Sequence, residues 1–152
     1  MTEKKDSFPG LPAAFQEILG EQEAELLIPP PAFQTMEGEF LHLDLKEGLL
    51  EARFPVKNGY LNPYGSLQGG FTAAAIDNTI GPLSMLVAPP NLTRRLEITY
   101  SEPARPETGR ITVSAHFLDQ DGRWLYFQAD VRDPAGKRLA RAKATHWILE
   151  SG

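Results

Sequence analysis

The chain has no cysteine, which excludes disulfides, thiolate metal ligands and a cysteine nucleophile. Its three histidines, His42, His116 and His146, are too scattered to form a metal cluster of recognisable spacing. No apolar run approaches the roughly 20 residues that span a bilayer, and the opening MTEKKDSFPG lacks the apolar centre of a secretory signal. Positive charge is also scarce. With 15 Lys and Arg against 20 Asp and Glu, the net charge is −5, whereas nucleic-acid phosphates call for a concentrated basic surface. The expectation is a soluble cytoplasmic protein with no membrane, nucleic-acid or metal partner. A small anionic ligand held by a local cluster of Arg and Lys remains compatible with that charge.

The 152 residues, 41% of them hydrophobic, suit one domain with an ordinary core. Residues 1–35 form a lead-in, and residues 36–152 the domain proper. In the lead-in, FPGLPAAFQEILGEQEAELL predicts one or two short helices, with Leu11, Phe15, Ile18 and Leu19 at helical spacing. IPPPAFQT predicts an extended or turned segment, because proline lacks an N–H and restricts the residue before it.

Period-two alternation follows. Leu41, Leu43 and Leu45 share one strand face, Leu50, Ala52, Phe54 and Val56 share the next, and Gly48 marks the hairpin between them. After the turn-rich KNGYLNPYGS, the Ala-rich run from Gln68 to about Val87 shows no alternation and predicts the one long helix, stopped by Pro89 and Pro90. Four more strand patterns complete the chain, with Ile111, Val113, Ala115 and Phe117, and then Leu125, Phe127, Ala129 and Val131, on covered faces. Two strands, one helix and four strands give an α+β antiparallel sheet with a helix laid across it.

The helix carries the chemistry. N–H groups of a first helical turn lack intrahelical partners and suit an oxygen of partial negative charge. Gly69 and Gly70 stand there, either to let a ligand approach the backbone or to let the helix pack tightly. Asp77 lies eight residues after Gly69, roughly 12 Å along the axis at about 1.5 Å per residue. A catalytic carboxylate works within about 3 Å of its target. If both ends are functional, a second antiparallel copy of the helix must complete each site, which asks for a two-fold dimer. The alternative is an ordinary acid on an exposed helix face. The small residues of TAAAI before Asp77 leave a narrow face that another helix can approach, where a carboxylate is partly desolvated.

The stretch NPYGSLQGGFTAAAID resembles the hotdog-fold acyl-CoA thioesterases, in the branch that includes the phenylacetate-pathway and human enzymes of similar size. Their pattern is Asn or Gln, then G-x-x-H-G-G, then an acid eight residues after the first Gly of the pair. Asn62, Gly65, Gly69, Gly70 and Asp77 are in register, and the likeness runs from about Glu37 to Leu149. It implies a hotdog fold, an antiparallel sheet wrapped around one long central helix, working as a homodimer or homotetramer. It also implies hydrolysis of a medium-chain or aryl acyl-CoA without a cofactor other than the coenzyme A of the substrate.

Carried over, Asp77 of one subunit is the nucleophile or the general base, and the Gly69 N–H of the other polarises the thioester carbonyl. Asn62 holds the attacking water or the carboxylate, and Thr93 falls where some relatives place a water-positioning hydroxyl. Gln68 stands where the family usually has His; it can donate and accept but cannot carry a proton charge. Gly70 lies beside the substrate, and Arg94, Arg95, Arg138, Arg141 and Lys143 are candidates for the phosphates of coenzyme A, against the alternative of a solvated sheet edge. The three histidines, inside strand patterns without acidic partners in sequence, are assigned structural roles. The absence of a histidine from the run between Gln68 and Val87 counts against the hydratases of the fold. The rival reading is a noncatalytic module that binds acyl-CoA or acyl-carrier protein, in which Gln68 marks lost hydrolysis. A purely structural scaffold is the third.

Overall fold

The computed structural model describes residues 10–20, 26 and 28–150. Among these residues three α-helices, α1 (Gly10–Leu19), α2 (Pro31–Thr35) and α3 (Gly69–Val87), accompany six strands. These are β1 (Glu39–Asp44), β2 (Leu49–Pro55), β3 (Asn91–Tyr100), β4 (Arg110–Asp121), β5 (Trp124–Arg132) and β6 (Arg138–Ile148). They form one antiparallel sheet in the order β1-β2-β4-β5-β6-β3, with α3 laid across one face.

The alternation expected from the sequence is the packing observed. Leu50, Ala52 and Phe54 of β2, Ile111, Val113 and Ala115 of β4, and Leu125, Phe127, Ala129 and Val131 of β5 are buried under α3. The helix answers with Ala75, Ile76, Ile80, Leu83 and Leu86. Pro82 lies inside α3 and is itself buried, so sheet packing outweighs the helix-interior cost of proline, about 3 kcal/mol. Gly48 turns the β1–β2 hairpin at φ +64, a conformation that favours glycine.

Two expectations need correction. IPPPAFQT is not wholly extended: Pro31 starts the short helix α2, where its missing N–H costs nothing because the first turn has no partner for it. Its Phe33 is buried against Phe40 and Phe54. Nor do Leu41, Leu43 and Leu45 form one core face. A register shift between Phe40 and His42 puts Phe40 and Leu43 against the core, and Leu45 lies exposed beyond the strand.

In the lead-in, Phe15 of α1 is buried in the same core, Leu19 packs against it and Ile18 is exposed. The side chain of Leu11 and the second helix considered after Gly20 lie outside the described residues.

Candidate active site

The segment before α3 is a closed loop built by Asn62. Its Oδ1 accepts from Tyr64 N at 3.0 Å and Ser66 N at 3.1 Å, and its Nδ2 donates to Ser66 Oγ at 2.9 Å. Asn62 N also donates to Ser66 O, and Gly65 turns the loop at φ +79. Leu67 N to Ala104 O and Gln68 N to Tyr60 O then pin the loop's end. Asn62 therefore spends its oxygen on holding the entry to α3, and its amide nitrogen keeps a second hydrogen for other work.

Gln68 is the N-cap of α3, with its side chain exposed and making no capping bond. Its carbonyl accepts from Phe71 N and Thr72 N. Among the described residues, the Gly69 and Gly70 N–H groups have no acceptor. A Cβ on Gly69 would stand 3.2 Å from the Tyr100 ring, whose hydroxyl donates to Gly69 O at 2.6 Å. A Cβ on Gly70 would meet nothing within 4 Å. Close packing thus explains Gly69, and open space lies over Gly70. Partial burial holds the Tyr100 phenol above its usual pKa range.

A cleft of about 350 Å³ opens beside Gly69, with Asn62, Thr72 and Tyr100 near the helix start and Ile111, Val131 and Leu139 of the sheet at its back. Further along α3, Ile80 is buried in the core. Phe71 stacks on Tyr60, and Met85 lines an apolar groove with Leu26, Leu92 and Leu149.

Asp77 lies on the uncovered side of α3, exposed in the single chain rather than desolvated. Thr93 Oγ1 donates to its Oδ1 at 3.0 Å. That hydroxyl is also 3.3 Å from His146 Nε2, and His146 Nδ1 is 2.8 Å from Asn91 Oδ1. His146 is 2% exposed, and burial pushes its imidazole pKa down while the Asp77 charge opposes the shift. The tertiary structure thus joins Asp77, Thr93, His146 and Asn91 in one chain of contacts. The sequence placed only the first two of these in the site. His146 was legible as a polar residue at an inward position of β6, but its partners lie 53 and 55 residues away.

Arg141 and Lys143 project from the face of β6 turned away from α3. With Arg138, Glu97, Thr99 and Ser101 they border a depression of about 280 Å³. Arg141 is held by Asp130 at 2.8 and 3.3 Å, and that hydrogen bond keeps the Asp130 carboxyl below the usual carboxylate range. Arg95 pairs with Glu97 at 3.7 Å. Arg94, Arg138 and Lys143 make no ion pair among the described residues. Ser101 borders both this depression and the cleft beside Gly69.

No family model matches the sequence. It is 28% identical over 116 residues to acyl-coenzyme A thioesterase 13 of Homo sapiens, covering 74% of this chain and 82% of that one. In structure it is similar to a phenylacetic acid degradation-related protein of Ralstonia eutropha JMP134, with TM-score 0.75 and 23% identity over 89% of this chain and 98% of the other. It is also similar to the PaaI protein of the E. coli phenylacetic acid degradation operon, with TM-score 0.75 and 16% identity over 85% and 92%. The chain is a hotdog-fold protein. Within that fold its sequence is similar to acyl-coenzyme A thioesterase 13.

Proposed function

We propose that this protein is an acyl-CoA thioesterase that hydrolyses a medium-chain or aryl acyl-CoA to the free acid and CoA. The observation that carries the reading is the pairing of an Asp77 carboxylate, braced by Thr93 on the open face of α3, with unpartnered N–H groups at the start of the same helix. In a thioesterase the N–H groups take the developing oxyanion, a contribution of roughly 3 to 4 kcal/mol per donor in other enzymes. Asp77 takes a proton from the attacking water, the C–S bond breaks, and the thiolate leaves. Gly69 and Gly70 supply the donors, while Asn62 and Gln68 bracket them, and Asn62 keeps an N–H for the carbonyl or the water.

Eight residues of helix keep the Gly69 and Asp77 of one chain apart, so the site is completed across a homodimer, alone or within a homotetramer. The uncovered side of α3 supports this. It presents Gly70, Ala74, Asp77 and Gly81 at helical spacing, and small residues let a second helix approach closely. The acyl group is seated in the cleft beside Gly69. The nucleotide end of CoA reaches Arg94, Arg138 and Lys143, with Arg95 and Arg141 at the margin, by way of Ser101. The absence of any helix long and apolar enough to cross a membrane among the described residues is compatible with work in the cytoplasm.

The test is release of free thiol from acyl-CoAs of graded chain length and aryl type, by the wild type and by Asp77→Asn. Loss of turnover by a factor of about 10² or more is expected. Turnover that survives the substitution sinks the assigned mechanism. Tight binding with no thiol released by the wild type establishes the noncatalytic binding module instead.

A further inference from the structure

The contacts around Thr93 contain a mismatch of hydrogens. Asn91 Nδ2 donates to Ser84 O at 3.2 Å and Pro89 O at 2.8 Å, so its Oδ1 is the atom turned to His146. That oxygen accepts, so His146 Nδ1 bears a hydrogen and the neutral ring leaves Nε2 as an acceptor. Thr93 then has one hydroxyl hydrogen between two acceptors, Asp77 Oδ1 and His146 Nε2. While Asp77 is ionised, the chain is one hydrogen short. Burial, which favours the neutral imidazole, maintains this state.

Protonation of Asp77 removes the mismatch. The new carboxylic O–H donates to Thr93 Oγ1, and the Thr93 hydrogen turns to His146 Nε2. Only the water O–H bond breaks; Thr93 reorients, and neither it nor His146 gains or loses a proton. We propose that His146, tethered by Asn91, is a positioning residue that offers the Thr93 hydroxyl an acceptor and so makes Asp77 a stronger base as it takes the proton from water. The inference rests on the reading of Asp77 as the base. The surroundings isolate the effect: Asp77 is the charge facing His146 from α3, while Thr93 of β3 and Phe127 and Leu125 of β5 are uncharged.

The same atoms also suit a different chemistry, because a hydroxyl beside an imidazole oriented by an amide is the arrangement of an activated nucleophile. The experiment separates the two on the full chain, with acyl-CoA hydrolysis followed for His146→Phe, Thr93→Val, their double variant and Asp77→Asn. His146→Phe and Thr93→Val are each expected to lower kcat about tenfold with KM within about twofold, and the double variant to be no worse than Thr93→Val. In His146→Phe the acid limb of kcat moves to lower pH, because protonated Asp77 loses its support; a purely structural role leaves that limb in place. Multiplicative losses in the double variant, an unmoved acid limb, or an acyl ester on Thr93 detected by mass spectrometry overturns the proposal.

Should His146→Phe fail to fold, His146→Leu carries the same cycle with the same outcomes, because it too offers Thr93 no acceptor. Activity that survives Asp77→Asn overturns the reading of Asp77 as the base and this inference with it. Activity lost there, with independent effects at His146 and Thr93, overturns this inference alone.

Discussion

Thr93 donates to Asp77 at 3.0 Å from a strand whose simple alternation would aim it the other way. Leu96, Ile98 and Tyr100 of β3 stand opposite the inward Ala144, Ala142 and Ala140 of β6, and counting back by twos from Leu96 reaches Arg94. The register shift between Thr93 and Arg95 inserts Arg94 as an extra residue, and Thr93 turns inward opposite His146. The bulge thus aims the hydroxyl at the helix and leaves Arg94 exposed at the edge of the sheet.

Removing the extra residue is expected to leave that aim intact. With Arg94 deleted, Thr93 directly precedes the outward Arg95 and falls on the inward face by plain alternation, still opposite His146, so kcat for thiol release should stay within about threefold of the wild type. A fall of about tenfold or more with unchanged far-UV circular dichroism would assign the Thr93–Asp77 contact to the local bend of the bulge and not to the face alone.

Gly69 and Gly70 should respond differently to alanine. At Gly69 the new methyl presses on the Tyr100 ring at 3.2 Å and strains the Tyr100 bond to Gly69 O, so a thermal melt should show a loss of about 1 kcal/mol. At Gly70 the methyl meets open space in the single chain, and the gain in helix propensity, roughly 0.5 to 1 kcal/mol, should raise stability. Reduced turnover in Gly70→Ala despite that gain would mark the space as occupied by substrate or by the second subunit.

A shared site predicts complementation. Asp77→Asn and Gly70→Val chains, each inactive alone, form one intact site in every mixed dimer. Refolding them together in equal amounts should restore about a quarter of wild-type activity by random pairing. Mixtures that stay inactive although mixed dimers are detected would place the donors and the acid of each site in one chain.

The Arg141–Asp130 pair makes a pH-dependent contribution to stability. Arg141 lowers the Asp130 pKa in the folded state, so the contribution is present above the unfolded carboxylate value of about 3.9 and is lost as pH falls through the lower folded value. Arg141→Ala should therefore lower Tm at pH 7, and the difference from wild type should shrink as melts are taken from about pH 4 downward. A constant difference across that range would assign the effect to packing of the Arg141 stem.

Much of the architecture was legible because it depends on short-range pattern. Strand alternation, the two prolines after Ala88 and the glycine at the β1–β2 turn act through neighbours in sequence, and all three are observed. Alternation misled where an extra residue entered a strand. At Phe40 to His42 and again at Arg94 the pattern continues, but the face reverses. Arg141 and Lys143 were legible as one exposed face of β6, whereas the neutralisation of Arg141 depends on Asp130, a residue of another strand.

The sequence by itself determined the α+β order, the limits of α3 and the spacing of Asn62, Gly69 and Asp77, since helix rise and strand pleat convert residue number directly into distance and direction. Tertiary structure alone decided that Thr93 faces Asp77, that Gly69 makes room for Tyr100, and that buried His146 stands behind the hydroxyl. Each of these depends on contacts 16 to 53 residues apart in the chain, and a local pattern carries no information about which distant side chain fills the other half of a hydrogen bond.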